Sequence, residues 1–223
     1  MLTLHHLENS QSLRVLWLLE ELGADYEFKF YKRDAKTSLA PASYKALHPA
    51  GTAPVISNGS FVLAETNAIV DYLLDQHPES RLRPAPDSAA YPLYLYWFHA
   101  SQGSLMPLLL DTLIFQRMVE KSPFLVRPIL RAATEQVQNI FHRPRLRALL
   151  TQANNQLGET NWLTSDELSA ADIVMGYCFE VLSMRTETEH DYPHIARFVT
   201  QMRERSAYQE AVTKGGPLRP FGE

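Results

Sequence analysis

Apolar and polar residues alternate at the start of the chain. From Leu2 to Leu7, Leu2 and Leu4 fall on one face of a strand and Thr3 and His5 on the other. Glu8, Asn9, Ser10 and Gln11 form a polar break. Val15, Leu18, Leu19 and Leu22 then recur at helical spacing until Gly23 supplies a stop. Tyr26, Phe28 and Phe30 alternate with Glu27 and Lys29, which predicts a second strand. The intervening length suits a right-handed crossover, so these two strands should be parallel.

A polar connection through Lys32, Arg33, Asp34 and Lys36 follows, with a short helix expected from Ser43 to Leu47. Val55-Ile56-Ser57 and Ser60-Phe61-Val62-Leu63 flank Asn58-Gly59, which predicts an antiparallel hairpin. Ile69, Leu73 and Gln76 then align on a helix closed by Pro78. The first eighty residues therefore read as βαβ, a connection, and ββα.

Ser80 to Asp87 is short, polar and carries Pro84 and Pro86, and it is the expected boundary. The division predicted is a domain over residues 1–79, a linker over 80–87 and an all-α domain over 88–223. Tyr91 to Met118 reads as one long helix kinked by Pro107. Pro123 and Pro128 lead into a second long segment ending near Gly158. Further helices fit Ser169 to Ser183 and Tyr192 to Lys214. The fold class expected is α+β, with the sheet confined to the first part.

Composition narrows the function classes. The chain has 223 residues, of which 45% are apolar and 21% charged, with one cysteine. Cys178 alone cannot close an intramolecular disulfide, form a Cys-x-x-Cys pair or build a thiolate zinc site, which points to a reducing, cytoplasmic setting. No basic cluster precedes an apolar run at the N-terminus, and no stretch approaches the roughly 20 apolar residues of a membrane span, so neither export nor membrane anchoring is expected. A net charge of −4 gives no general attraction for nucleic acid. Arg143, Arg145 and Arg147 beside His142 read as a solvated helix face. No metal site is expected: adjacent strand residues such as His5 and His6 point to opposite faces, and no His-Glu-x-x-His spacing occurs.

Several strings are recognisable together. Leu4-His5-His6-Leu7-Glu8-Asn9-Ser10-Gln11-Ser12-Leu13-Arg14-Val15-Leu16-Trp17, Gly51-Thr52-Ala53-Pro54-Val55-Ile56 and Leu63-Ala64-Glu65-Thr66-Asn67-Ala68-Ile69 resemble a cytosolic glutathione transferase. The resemblance is closest to bacterial and fungal members with a serine near the start. Ser104-Leu105-Met106-Pro107, Ser169-Ala170-Ala171-Asp172-Ile173 and Pro193-His194-Ile195-Ala196-Arg197-Phe198 are similar to that family's helical domain. The fold implied is a thioredoxin-like domain followed by an α-helical domain. The function implied is attack of the glutathione thiolate on a small hydrophobic electrophile, with glutathione as co-substrate, no metal, and a homodimeric assembly. Peroxide or disulfide reduction with the same site, or a non-catalytic binding module of the same fold, are the alternatives.

A free thiol near pKa 8.5 is only a few per cent ionised at neutral pH, so such a site must stabilise the thiolate. Ser10 precedes Arg14 by four residues, as the catalytic serine precedes an arginine in serine-type relatives, and the resemblance makes it the catalytic residue. Ser12 and Asn9 are its rivals, and read alone Ser10 or Ser12 merely caps a helix. The loop holds no tyrosine or cysteine. Ala53-Pro54 matches the family's cis-proline element, whose backbone would pair with the glutathione peptide. Thr52 stands where many relatives have a lysine, and is grouped with Ser12 among the glutathione-binding positions. Glu65 and Thr66 match the γ-glutamyl end of the site; without the family they are ordinary helix-start residues. Tyr96, His99, Gln102 and Met106 are assigned to the second-substrate pocket, with core packing the alternative for Met106. Ser169 and Asp172, with Leu168 and Ile173, read as a capping box and hydrophobic staple, a structural device.

Overall fold

The computed structural model describes residues 1–184 and 188–219. β1 (Leu2–Leu7), α1 (Ser12–Leu22) and β2 (Glu27–Tyr31) make the crossover. α2 (Ala42–Lys45), β3 (Val55–Asn58), β4 (Phe61–Ala64) and α3 (Thr66–Gln76) follow. The sheet runs β2-β1-β3-β4, with β1 parallel to β2, β3 antiparallel to β1, and β4 antiparallel to β3. This is a thioredoxin-like domain with a four-stranded mixed sheet. β1 is central, so its two faces are both covered: Thr3 and His5 are buried along with Leu4.

The hairpin forms one residue later than its signal suggests. Asn58 pairs with Phe61, so the connecting residues are Gly59 and Ser60. Gly59 takes φ +61° while Asn58 and Ser60 do not turn left-handed. A type I′ turn needs two left-handed residues, whereas a single glycine at the first position is the II′ pattern.

The helical domain comprises α4 (Tyr91–Ala100), α5 (Met106–Lys121), α6 (Arg127–Val137), α7 (Arg143–Glu159), α8 (Ala170–Ser183), α9 (Thr188–Asp191), α10 (Pro193–Glu204) and α11 (Ser206–Gly215). Between α4 and α5 the chain makes a π-helical turn, Ser101–Leu105, and between α6 and α7 a second one, Gln138–His142. Each is followed two residues on by a proline, Pro107 and Pro144. Proline cannot donate to the carbonyl four residues back and crowds it, and widening the preceding turn relieves both problems. The Met106 and Arg143 N–H groups accordingly donate five residues back, to Ser101 and Gln138. The interruption expected at Pro107 is thus a π turn just before it. Tyr192 to Lys214, expected as one helix, divides at Arg205, whose backbone is extended (φ −68°, ψ 130°). Its guanidinium donates to both Glu21 oxygens at 2.6 and 2.7 Å, holding the break against α1.

α8 is the centre of this domain. It is apolar on nearly every side, and every residue from Ala170 to Leu182 is buried. It packs against α1, α4 and α10, so one hydrophobic cluster runs from Leu4 and Ile56 of the sheet through Trp97 to Phe179 and Phe198. At its start the Asp172 carboxylate accepts the Ser169 N–H at 2.8 Å and the Ser169 hydroxyl at 2.6 Å, and Leu168 and Ile173 are buried beside it. The expected capping box is present. Arg143, Arg145 and Arg147 lie on an exposed face of α7.

Candidate active site

Strand register assembles one end of the sheet into a site. β3 pairs with β1 through His5 and Val55 and with β4 through Val55 and Ala64. Continuing each ladder brings Leu7, Ala53-Pro54 and Glu65-Thr66 to the same edge, next to the polar break that opens α1. A cleft of about 300 Å³ lies there. One wall is Leu7, Ser10, Gln11, Thr52 and Ala53 from the sheet domain. The other is Met106, Leu109, Leu110, Leu113 and Tyr177 from α5 and α8, and Arg33 and Lys45 stand at its side. A polar wall facing an apolar wall suits a ligand with a polar body and an apolar reaction partner.

Of the three hydroxyl or amide candidates in the break, only Ser10 lines the cleft. Its Oγ lies 2.7 Å from the Leu7 carbonyl and 2.7 Å from Ser12 Oγ, and accepts the Ser12 N–H at 3.2 Å. Ser12 is fully buried and faces inward, accepting the Leu7 N–H at 3.2 Å and meeting His6 Nδ1 at 3.1 Å. Asn9 turns left-handed (φ 47°) and spends its amide on the C-terminal segment, donating to the Arg219 carbonyl and accepting the Arg219 N–H, both at 3.1 Å.

Behind the wall lies a charge that the sequence pattern does not reveal. Arg14 is 1% exposed. Its Nη2 contacts Cys178 Sγ at 3.0 Å and Met106 Sδ at 3.6 Å, and its guanidinium carbon sits 4.5 Å from the Tyr177 ring centre. Nε and Nη1 have no hydrogen-bond partner among the described residues. A buried guanidinium held by sulfur and an aromatic face, with no carboxylate partner among the described residues, raises the local potential at the cleft wall formed by Met106 and Tyr177. Cys178 itself is completely buried and burial pushes its thiol up, the reverse of a reactive cysteine.

The other expected positions are distributed more widely. The Ala53-Pro54 peptide bond is cis. Glu65 is exposed with φ 77°, and Thr66, 1% exposed, keeps its hydroxyl without a partner among the described residues. Thr52 and Ala53 line the cleft, whereas Pro54, Glu65 and Thr66 are not among its lining residues. Met106 lines the cleft, and Gln102 reaches it by donating to Gln11 Oε1 at 2.9 Å. Tyr96 instead borders a separate cleft of about 490 Å³ with Asp111, His142 and Arg145, its hydroxyl donating to Gln152 at 2.8 Å. His99 is exposed, edge-on to Phe98. The π turn slips the helical register between these residues, so α-helical counting across it groups side chains that do not share a face. Among the described residues no cluster of three His, Cys, Asp or Glu is placed to hold a metal ion, and no helix is long and apolar enough to cross a membrane.

Comparison with known proteins agrees with this architecture. Residues 1–75 match the family model described as glutathione S-transferase, N-terminal domain, and residues 123–210 match glutathione S-transferase, C-terminal domain. Glutathione S-transferase 3 of Schizosaccharomyces pombe is 29% identical over 216 residues, covering 96% of this chain and 88% of that protein. A theta-class glutathione S-transferase from Xanthomonas axonopodis pv. citri, solved with glutathione bound, is 26% identical, covers 97% of this chain and 99% of its own, and superposes with a TM-score of 0.70. A glutathione S-transferase structure from Actinobacillus pleuropneumoniae is 33% identical, covers 100% of this chain and 98% of its own, and superposes with a TM-score of 0.80. With the sheet topology, the helical domain and both family models in agreement, this chain belongs to the glutathione S-transferase family.

Proposed function

We propose that the cleft binds glutathione and that Ser10 stabilises its thiolate for attack on a small hydrophobic electrophile, as a serine-type transferase. The observation that carries this reading is the position of Ser10: it alone among Asn9, Ser10 and Ser12 lines the cleft. Its proton has two neutral acceptors in the wall, the Leu7 carbonyl and Ser12 Oγ. A thiolate is a charged acceptor and out-competes them. Residues 1–79 would hold glutathione, 80–87 link, and 88–223 shape the second pocket. Ala53 offers its backbone to the glutathione peptide, while Glu65 and Thr66 take the γ-glutamyl end; the partnerless Thr66 hydroxyl is suited to a carboxylate. Lys45, exposed at the cleft side, supplies the cationic side chain that Thr52 lacks. The apolar electrophile lies against Met106, Leu109, Leu110 and Leu113. The test is the pKa of the bound thiol in Ser10→Ala, with turnover of chlorinated aromatic, peroxide and disulfide substrates compared.

The Arg14 charge supports the same reading, since a cation with no carboxylate partner among the described residues favours an anion nearby. Arg14→Met is expected to raise the pKa of the bound thiol by about one unit, roughly tenfold less thiolate at pH 6.5. It is expected to do so with no loss of thermal stability, because methionine fills most of the volume while removing a desolvated charge. A lower unfolding midpoint with an unchanged thiol pKa makes the guanidinium a structural strut instead.

A homodimer fits the exposed apolar stripes on neighbouring helices. Ile114 and Met118, four residues apart, are exposed on α5, and Ile129, Val137 and Ile140 are exposed on α6 and the turn after it. Sedimentation at micromolar concentration is expected to give twice the chain mass, and a monomer there contradicts the dimer.

A further inference from the structure

A chain of hydrogen bonds leads from Ser10 away from the cleft to the last helix. Ser10 Oγ meets Ser12 Oγ at 2.7 Å, Ser12 Oγ meets His6 Nδ1 at 3.1 Å, and His6 Nε2 meets the Gly215 carbonyl at 3.0 Å. We infer that His6 is a positioning residue for Ser10, fixed in one tautomer by the Gly215 carbonyl and acting through the Ser12 hydroxyl. The inference rests on the reading of Ser10 given above.

Proton accounting runs in one direction. The Gly215 carbonyl can only accept, so Nε2 carries the imidazole proton and Nδ1 is the acceptor. The single Ser12 proton therefore goes to Nδ1. Ser12 Oγ is left as an acceptor, for the Leu7 N–H at 3.2 Å and for Ser10. Ser10 Oγ is in turn held by the Ser12 N–H. If His6 did not take the Ser12 proton, that hydroxyl would compete with Ser10 for the Leu7 carbonyl, which lies 3.3 Å from it. The two serines would then share several proton arrangements, and the donor facing the cleft would not be preorganised.

The contact with Gly215 is built into the packing. A Cβ at position 215 would come within 2.8 Å of His6 Cε1 and 2.9 Å of Nε2, so only glycine admits the ring there. The imidazole is 1% exposed and stacks beside Phe30 with ring centres 5.8 Å apart. Burial lowers its pKa to about 4, which keeps Nδ1 an acceptor through the neutral range. The Asn9–Arg219 pair ties the polar break to the segment after Gly215, so α11 and the residues following it hold β1 through His6 and the break through Asn9.

Two substitutions separate the functions of the ring nitrogens. His6→Asn keeps an acceptor near Nδ1 and loses the donor to Gly215; His6→Gln keeps a donor that reaches Gly215 and loses the acceptor for Ser12. Thiolate absorbance of bound glutathione is followed against pH, together with kcat and the glutathione KM. His6→Asn is expected to hold the wild-type thiol pKa. His6→Gln is expected to raise it by about one unit, lowering kcat about tenfold at pH 6.5 with little change in KM. In a Ser10→Ala background the two variants should become indistinguishable. Equal thiol pKa values in the two single variants, or a difference that persists without Ser10, overturns the inference while leaving the Ser10 reading intact. An unchanged pKa in Ser10→Ala alone overturns that reading and the inference with it. If His6→Gln does not fold, Gly215→Ala, which displaces the ring, is expected to raise the thiol pKa likewise, and an unchanged value there counts against His6.

Discussion

Ser10→Ala is expected to raise the pKa of the bound glutathione thiol by about one to two units, since a hydrogen bond to a charged group contributes roughly 1.5–3 kcal/mol and one unit is 1.36 kcal/mol. At pH 6.5 the loss appears as about a 10- to 100-fold fall in kcat/KM toward a chlorinated aromatic. The pH dependence identifies the cause. Above about pH 9 the thiol ionises without help, and the variant should approach the wild type. Glutathione affinity should change little, because the subsites proposed for its two ends lie at Glu65-Thr66 and at Lys45, on other elements. A bound-thiol pKa that does not move in Ser10→Ala passes the role to Gln11 or to backbone N–H groups at the start of α1. Failure to bind glutathione at all removes both the transferase and the reductase readings.

The parts of this molecule that were legible in the sequence are those set by local periodicity. β1, α1, β2 and the β3–β4 hairpin follow from alternation and helical spacing, because residues two apart on a strand, or three and four apart on a helix, share one face. The hairpin register shows the limit of that logic. Asn58-Gly59 marks the turn, yet the ladder to β1, which pairs Asn58 with Leu2, keeps Asn58 in the strand and moves the turn to Gly59-Ser60. Long-range contacts set the rest. The break at Arg205 carries neither glycine nor proline and is held by Glu21, 184 residues away. The π turn at Ser101–Leu105 leaves the apolar spacing of Tyr91 to Met118 continuous while changing which residues share a face, so Tyr96 and Met106 line different clefts.

The candidate site divides in the same way. Its polar wall lies in a few short motifs at the sheet edge, which is why Ser10, Thr52 and Ala53 could be named from the chain alone. Its apolar wall comes from Leu109, Leu110, Leu113 and Tyr177, residues that read as ordinary core-forming positions on separate helices. Arg14 is the clearest case of information absent from local pattern. An arginine four residues before Leu18 is ordinarily placed in solvent, but α1 is covered by the sheet, α8 and α11, and every residue from Ser12 to Leu19 is buried. His6 and Gly215 stand 209 residues apart, and only the packing of α11 on α1 brings them together.

Asp172→Ala is expected to have the largest effect on stability. The carboxylate is fully buried and accepts three donors: the Leu163 N–H at 2.7 Å, the Ser169 N–H at 2.8 Å and the Ser169 hydroxyl at 2.6 Å. Alanine leaves all three without an acceptor at the start of the most buried helix, a loss of about 3–5 kcal/mol. For a chain of this length that lowers the unfolding midpoint by roughly 10 °C. Asp172→Asn is not expected to restore the loss, because an amide has one acceptor oxygen and turns a donor toward one of these N–H groups. Removing the carboxyl group also changes the pH response. Burial raises the Asp172 pKa to about 6 from 3.8, so the native state holds this proton more tightly and its contribution to stability falls as pH rises from about 4 to 6. His6, lowered from 6.5 to about 4, acts in the opposite sense: its contribution is complete above 6.5 and is lost as pH falls through 4. The two slopes oppose each other in the same window, His5 is lowered by burial in the same sense as His6, and removing Asp172 takes away the opposing slope. Denaturant unfolding between pH 4 and 7 should therefore show Asp172→Ala losing more stability on acidification than the wild type does. A variant whose deficit is the same at pH 4.5 and pH 7 shows that Asp172 stays ionised when buried, with its three donors outweighing desolvation.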